Sequence, residues 1–518
     1  MNDYIKNLKY DIPAAIIVFL VAVPLCLGIA LASFPEGEAI LFSGIIAGIV
    51  GGIIVGIASG SQLGVSGPAA GLAVIVLTAI KDLGSFEVFL LAVVIGGVFQ
   101  LILGFARAGV IGYFFPNSVI KGMLAGIGII IFKKQIPIAF GHKGFGELFN
   151  NMSSFDTGAL TITLVSLAIL ILWEQKFMKN IKVFQLLQGP LVVVIVGVIL
   201  GLVFANTAFS LVSAKHLVSI PVSKNLTEFV GHFKFPDYSQ IANPLVWKVG
   251  ITIAVVASLE TLLCLEATDK MDPFHRVAPA NRELKAQGLG NIIAGLIGGL
   301  PVTQVIVRSS TNIQSGGRTK MAAILHGVIL LICAMSVPAL LNMIPLASLA
   351  AILFLVGYKL AKPELFKSMY KQGKGCFIPF ITTILGIVFV DLLVGIALGL
   401  AVAIYFILYQ NYKKPFLFDS SKHFQDGKIH LEFAEDVTFV NKASIQKTLA
   451  ELPDGSKVVL DASKTIHMHH DVLEIIEEFL DGAQYRDIEV EVIGLEFPNI
   501  GNQYQIMSKS LSALFYNK

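Results

Sequence analysis

Two ionisable residues stand where charge is expensive. Glu260 lies roughly two-thirds of the way along the apolar run Val246 to Thr268, near a bilayer midplane in a helix of ordinary tilt. Arg308 is the first full charge in the stretch Gly298 to Thr319, GGLPVTQVIVRSSTNIQSGGRT. Gly298, Gly299 and Pro301 stop the preceding apolar run from continuing as one helix, and Pro301 suits the first position of a new one. A short helix is therefore expected to begin at Pro301 inside the membrane. Its free N–H groups and positive dipole end make an anion site, with Arg308 about two turns further on. Ser66 to Ile80, SGPAAGLAVIVLTAI, repeats the design with Gly67 and Pro68 as its opening. Paired broken helices in corresponding positions of two halves are the sequence signature of a midplane binding site, so the two helix starts are expected to face each other.

Each residue has a plainer reading. Glu260 can hydrogen-bond to a neighbouring helix instead of taking part in transport. Arg308 can snorkel towards the surface, although Arg318 already serves as the membrane-edge charge. Ser66, Ser309, Ser310 and Thr311 can donate to an anion or pack between helices. Glu266 and Asp269 read as ordinary solvated acids at a helix end.

The elements that must position these residues follow from composition. Of 518 residues, 55% are hydrophobic and 14% charged, with a mean hydropathy of +0.78, which is a polytopic membrane protein. The net charge of +3 comes from basic residues spread over loops, so nucleic acid is not a partner; the lipid bilayer is. The run from Ile12 is long enough to span, reads as the first membrane segment and not as a cleavable signal peptide. Further runs are Ile40 to Ser59, Phe86 to Phe105, Ser118 to Phe132, Leu160 to Trp173, Gln188 to Phe204, Val246 to Thr268, Lys320 to Leu340, Leu346 to Leu360, Cys376 to Val390 and Leu392 to Gln410. With the two half-helices and the Gln287 to Leu300 run, the total is about fourteen segments.

Pairing the half-helices as third and tenth segments gives a seven-plus-seven inverted repeat. An even count puts both termini on one side, and Arg107, Lys176, Lys179, Lys182, Lys270, Arg276, Arg282, Lys285, Lys362, Lys367, Lys371 and Lys374 fall on that side. Both termini are therefore expected in the cytoplasm, and the localisation is the inner (cytoplasmic) membrane of a bacterium-like cell. Lys133 and Lys134 run against the trend. The expected division is a transport domain over 1–410 and a soluble α/β domain over 411–518. In the latter, strands are expected at Lys428 to Phe433, Val458 to Asp461 and Ile488 to Ile493, with helices at Ala443 to Leu452, His470 to Phe479 and Tyr504 to Phe515.

Other chemistry is excluded or thin. Cys26, Cys264, Cys333 and Cys376 form no CxxC pair and read as buried small hydrophobes. His467, His469 and His470 lack a second ligand pair at metal spacing, so no metal or other cofactor is expected. Without a Walker motif, a nucleophile elbow or a GxGxxG in a βαβ unit, ATP-driven pumping and enzymatic catalysis have no support.

Three stretches, LGVSGPAAG from Leu63, ASLETLLCLEATDKMD from Ala257 and GGLPVTQVIVRSSTNIQSGGRT from Gly298, resemble the SulP (sulfate permease) family of anion transporters. VVLDAS from Val458 looks like the family's C-terminal STAS domain. The resemblance implies a core domain of segments one to four and eight to eleven and a gate domain of the rest. It also implies elevator-type movement of a small inorganic anion, sulfate or bicarbonate, and a homodimer. On that resemblance the binding residues are Ser66, Gly67, Pro68 and Ala69 with Val307, Arg308 and Ser309, and the coupling residues are Glu260 and Cys264. Arg308 matches the arginine linked to anion binding in prestin-like members, and Glu260 the acidic residue linked to cation coupling.

The chain departs from the family in places. Val23, Pro24, Leu25 and Cys26 stand where many sulfate transporters of the family carry a glutamine. Sodium-coupled bicarbonate members have an aspartate and a threonine at the places of Glu260 and Cys264, and a thiol is a poor ligand for a hard cation. A proton is thus the expected coupling ion, with sodium the alternative. Met468, His469, His470 and Asp471 replace the phosphorylatable serine of anti-sigma antagonists, while a cytoplasmic partner of the STAS domain stays open. Rival readings are a dicarboxylate or nucleobase carrier, a channel, and a sensor. The half-helices hold no aromatic residue on which a nucleobase would stack, although Gln304 offers edge hydrogen bonds.

Overall fold

The computed structural model describes residues 2–35, 39–109, 116–142, 144–150, 156–175, 178, 188–205, 216–223, 225–390, 392–412, 424–425 and 428–495. The expected helix at Tyr504 to Phe515 lies outside the described residues, as do Glu36, Glu38, Lys176, Lys179 and Lys182. The chain forms two compact units, Met1–Leu400 and Ala401–Lys518.

Apolar runs give fourteen helical segments among the described residues. The first seven are α1 (Asn2–Ser33), α2 (Leu41–Ala58), α3 (Ala70–Leu83), α4 (Phe86–Phe105), α5 (Asn117–Ala139), α6 (Thr157–Trp173) and α7 (Gly189–Phe204). The second seven are α8 (Pro244–Met271), α9 (Ala280–Leu296), α10 (Ile306–Gln314), α11 (Met321–Ser336), α12 (Leu346–Leu360), α13 (Lys374–Phe389) and α14 (Leu392–Tyr412). Tyr4–Ser33, Leu41–Ala58, Phe86–Phe105, Pro244–Met271 and Leu346–Lys371 are long and apolar enough to cross a bilayer on length and composition alone. Local chemistry sets the ends. Gly84 closes α3 in the left-handed region at φ 79°, and Ser85 caps α4 by accepting from the Val88 N–H, so the chain reverses in two residues. Asn243 caps α8 with Pro244 just inside it.

Both half-helices start later than the glycine and proline punctuation suggests. Ser66–Pro68 (β1) and Val302–Gln304 (β2) are short strands that pair antiparallel, Ser66 with Gln304, Gly67 with Thr303 and Pro68 with Val302. The fixed φ of Pro68 and Pro301 suits extended backbone as well as a first helical turn, and here the residues after Pro301 satisfy their main chain across the ribbon. Helix begins only at Ala70 and Ile306, not at Pro301. Arg308 is consequently the third residue of α10, in its first turn.

The inverted repeat is visible in packing. Shifting each helix by seven places turns one set of neighbours into the other: α4 packs on α8 and α9 as α11 packs on α1 and α2, and α5 packs on α13 as α12 packs on α6. Glycines mark the equivalent crossings, where backbones approach closely. A methyl on Gly97 would stand 2.7 Å from the Gly288 carbonyl oxygen, and one on Gly327 2.9 Å from Gly52 Cα. At the α5–α12 crossing, which the repeat maps onto itself, Gly128 and Gly357 each lie 2.7 Å, on the same measure, from the other's carbonyl oxygen. Lys134, unexpected in a spanning segment, donates to the Ala32 carbonyl at 2.7 Å and to that of Phe34, satisfying the end of α1.

In the second unit, strands β3 (Phe424–Gln425), β4 (Lys428–Glu432), β5 (Lys457–Asp461) and β6 (Glu489–Ile493) form one sheet in that order, the first pair antiparallel and the others parallel. Helices α15 (Lys442–Ala450) and α16 (His470–Ala483) bring Ile445, Leu449, Val472, Ile476 and Leu480 into one core with Phe433, Val458 and Leu460. His469 caps α16 by accepting from the Asp471 N–H.

Candidate functional site

Where β1 and β2 meet, α3 and α10 begin. Their cap residues, Ala69 and Val305, are extended and offer no side-chain cap, so the first-turn N–H groups look elsewhere. They find α8. The Gly71 N–H donates to the Glu260 carboxylate and the Ile306 N–H to the Cys264 sulfur, one helical turn apart. The same face of α8 carries Thr261, whose hydroxyl accepts from the Gln304 N–H at 3.4 Å, and Thr268, which accepts from Gln304 Nε2 at 3.0 Å. Glu260 Oε2 is buried without a hydrogen-bond partner among the described residues.

Arg308 is fully buried, at 0% exposure. Its Nη1 lies over Gly67, so near that a Cβ there would stand 2.1 Å away. A side chain at residue 67 would occupy the guanidinium's place. Nη2 donates to the Cys26 sulfur at 3.3 Å, while Nε and Nη1 have no partner among the described residues. A buried cation with free donors is costly unless something anionic joins it. Among the described residues no carboxylate is within ion-pair distance of Arg308 or cation of Glu260, so the two charges are held apart and each is available.

The other expected residues act through geometry. Ser309 Oγ accepts from the Val65 N–H at 3.0 Å and donates to the Val305 carbonyl at 2.9 Å, strapping α10 to the approach of β1. Ser310 and Thr311 donate to the Val307 carbonyl of their own helix. Ser66 accepts from Gln287 and is already engaged, while Val307 is 45% exposed. Pro68 and Ala69 set the backbone path into α3. Glu266 pairs with Lys270 at 2.5 Å and Asp269 accepts from the Ala278 N–H, both beside a cleft of about 370 Å³ at the far end of α8. Beyond that end, burial pushes the Asp272 carboxyl up, but hydrogen bonds from Arg276 and the Phe274 N–H outweigh it and hold it below the usual carboxylate value.

Several contributors were missed in the sequence. Glu283, Gln287 and Asn291 recur every four residues on α9 and are all buried. Ser59 donates to Glu283 at 2.5 Å, Gln287 Nε2 donates to Glu283 at 2.9 Å and to Ser66 at 2.7 Å, and Asn291 exchanges two hydrogen bonds with the Val302 main chain. One polar side chain per turn along an otherwise apolar helix was the available signal. Cys26 and His326, also buried beside Arg308, carried no such pattern.

Comparison with known proteins now bears on this geometry. The model of the Sulfate permease family matches residues 8–383. The chain belongs to that family. Its members are transporters and not enzymes. YvdB of Bacillus subtilis is 28% identical over 415 residues, covering 78% of this chain and 74% of its own. The bicarbonate transporter BicA of Picosynechococcus is 26% identical over 417 residues, covering 77% and 70%. Among solved structures, the transmembrane domain of a cyanobacterial BicA superposes with a TM-score of 0.60 at 22% identity, covering 75% of this chain and 97% of its own. Murine solute carrier 26 family member A9, in the inward-facing state, gives 0.72 at 15% identity, covering 96% and 87%. These likenesses carry the fold: a multi-spanning helical membrane protein with a C-terminal α/β domain.

Proposed function

We propose that this permease is a secondary transporter of a small inorganic oxyanion, sulfate or bicarbonate, bound where α3 and α10 begin. The observation that carries the reading is Arg308, wholly buried with two unsatisfied donor nitrogens laid over Gly67 at the strand crossing. Ser66 to Ala69 and Val307 to Ser309 supply the two backbone walls. Relatives named for bicarbonate, such as BicA, and for sulfate, such as high affinity sulfate transporter 2 of Stylosanthes hamata, agree with this substrate class.

Transport proceeds by elevator-type displacement of a core of α1–α4 and α8–α11 against a gate of α5–α7 and α12–α14, in a homodimer of the cytoplasmic membrane with both termini inside. Packing supports the division, since α8 and α9 embrace α4 while α5 is embraced by α12 and α13. The second unit is read as a STAS-like domain that meets a cytoplasmic partner or its dimer mate. Glu260 is the coupling carboxylate, and a proton fits better than sodium because Cys264 spends its sulfur on the Ile306 N–H and is a soft ligand. The test is uptake of labelled sulfate and bicarbonate into proteoliposomes with proton and sodium gradients imposed one at a time. Accumulation driven by an inward proton gradient is expected. Accumulation that follows only sodium would displace the proton assignment, and no uptake above empty vesicles would remove the transport reading.

A further inference from the structure

The second turn of α2 to reach the site is a π-helical one, Gly51–Val55, an irregularity that commonly marks functional sites. It places two consecutive glycines between different partners. A Cβ on Gly51 would meet the Ser66 carbonyl at 2.5 Å and the Gly67 nitrogen at 2.7 Å; one on Gly52 would meet His326 Cε1 at 2.8 Å. The imidazole edge and the β1 main chain thus share one layer, and Arg308 Nη1 lies over the same Gly67. One turn further along α11, Leu330 meets Gly48, which also touches the Cys26 sulfur that Arg308 Nη2 reaches. His326 thus meets α2 at Gly52, next to the Gly51 that bears on Gly67, while Arg308 Nη1 overlies Gly67, so the two side chains approach one region of α2 and β1 from two helices.

The hydrogen bonding of His326 fixes what it can offer there. Its Nδ1 stands 2.5 Å from the Ala323 carbonyl oxygen, which can only accept, so Nδ1 carries the ring proton. In the neutral ring Nε2 is then a bare lone pair. It is buried at 0% exposure without a partner among the described residues. Among the unsatisfied buried atoms of the described residues, Arg308 Nε and Nη1 are donors, and His326 Nε2 is an acceptor, as are Gln287 Oε1 and Gln304 Oε1 beside β1.

We infer that His326 is a specificity-determining residue of the anion site, selecting an oxyanion that still carries a proton, such as bicarbonate, over anions that carry none. The anion's bare oxygens accept from Arg308, and its O–H donates to His326 Nε2. Sulfate at neutral pH has no hydrogen to give, and a site built to accept from a ligand O–H rejects a ligand that leaves its buried acceptor unmet. Nitrate isolates the effect, because it shares bicarbonate's planar shape and single charge but lacks the O–H. This inference rests on the transport site proposed above.

The experiment measures binding of bicarbonate, nitrate and sulfate to the detergent-solubilised full chain by calorimetry, and their uptake into proteoliposomes at pH 8. The wild type is compared with His326→Leu and His326→Gln, the glutamine keeping an acceptor where Nε2 stood. The wild type is expected to favour bicarbonate over nitrate by about tenfold or more; His326→Leu brings the two together, and His326→Gln retains much of the preference. Equal wild-type affinity for bicarbonate and nitrate, a preference for sulfate, or equal loss for all three anions in His326→Leu with an unchanged ratio would overturn the inference. Selective binding without uptake would overturn the transport reading alone and leave this one standing. No binding of any of the three would overturn both.

Discussion

The starts of α3 and α10 are built alike and equipped differently. Each follows a three-residue strand and an extended cap, and the repeat aligns Ala70, Gly71 and Leu72 with Ile306, Val307 and Arg308. At α3 a carboxylate from α8 closes the open N–H of Gly71 and the wall is bare glycine; at α10 a thiol closes that of Ile306 and the wall supplies a guanidinium. One backbone design therefore holds a carboxyl group and a guanidinium on separate sides of one crossing. The proposed function assigns the carboxyl closure to coupling and the guanidinium wall to substrate.

This contrast can be broken in order of effect. Arg308→Gln is expected to reduce anion uptake to the background of empty vesicles, since truncating a buried charge at its ligand costs about 2–5 kcal/mol, and Arg308→Lys should restore little because one ammonium cannot replace the fork. Labelled-anion uptake checks both. Glu260→Gln should leave exchange down an anion gradient running while abolishing accumulation driven by a proton gradient; a variant that still concentrates anion would refute the assignment of coupling to Glu260. The two glycines sharpen the comparison further. Gly67→Ala displaces the guanidinium and should raise the KM roughly tenfold, whereas Gly71→Ala, whose methyl would stand 2.6 Å from both Glu260 oxygens, should disturb proton dependence more than KM. Ser309→Ala should matter least, lowering thermal stability by about 1 kcal/mol through loss of the Val65 strap, with little change in substrate preference.

Much of this was legible in the sequence. Apolar runs gave the segments because bilayer thickness leaves little latitude in length, and the glycine and proline entries marked both half-helices because few other residues interrupt such runs. Glu260 and Arg308 stood out because charge in an apolar run is rare. What escaped was pairing. Nothing local announces that Ser66–Pro68 will hydrogen-bond to residues far along the chain, so the late starts at Ala70 and Ile306 were not anticipated. Gln287 and Asn291 hold those strands, yet each alone looks like a packing polar residue, and only the fold brings the α9 ladder to the ribbon. His326 and Cys26 were hidden for the opposite reason, being single polar or soft residues in apolar helices until Arg308 was placed beside them.

Lys134 has a consequence for timing. It reaches from α5, on the gate side of the proposed division, to the last carbonyls of α1, on the core side. Charge-assisted bonds are stronger than neutral ones, so in the proposed sliding of one bundle along the other both must be broken first. Under the proposed elevator movement the lysine would be a detent, adding height to the barrier between end positions without favouring any anion, and so bearing on how often the carrier turns over and not on what it carries.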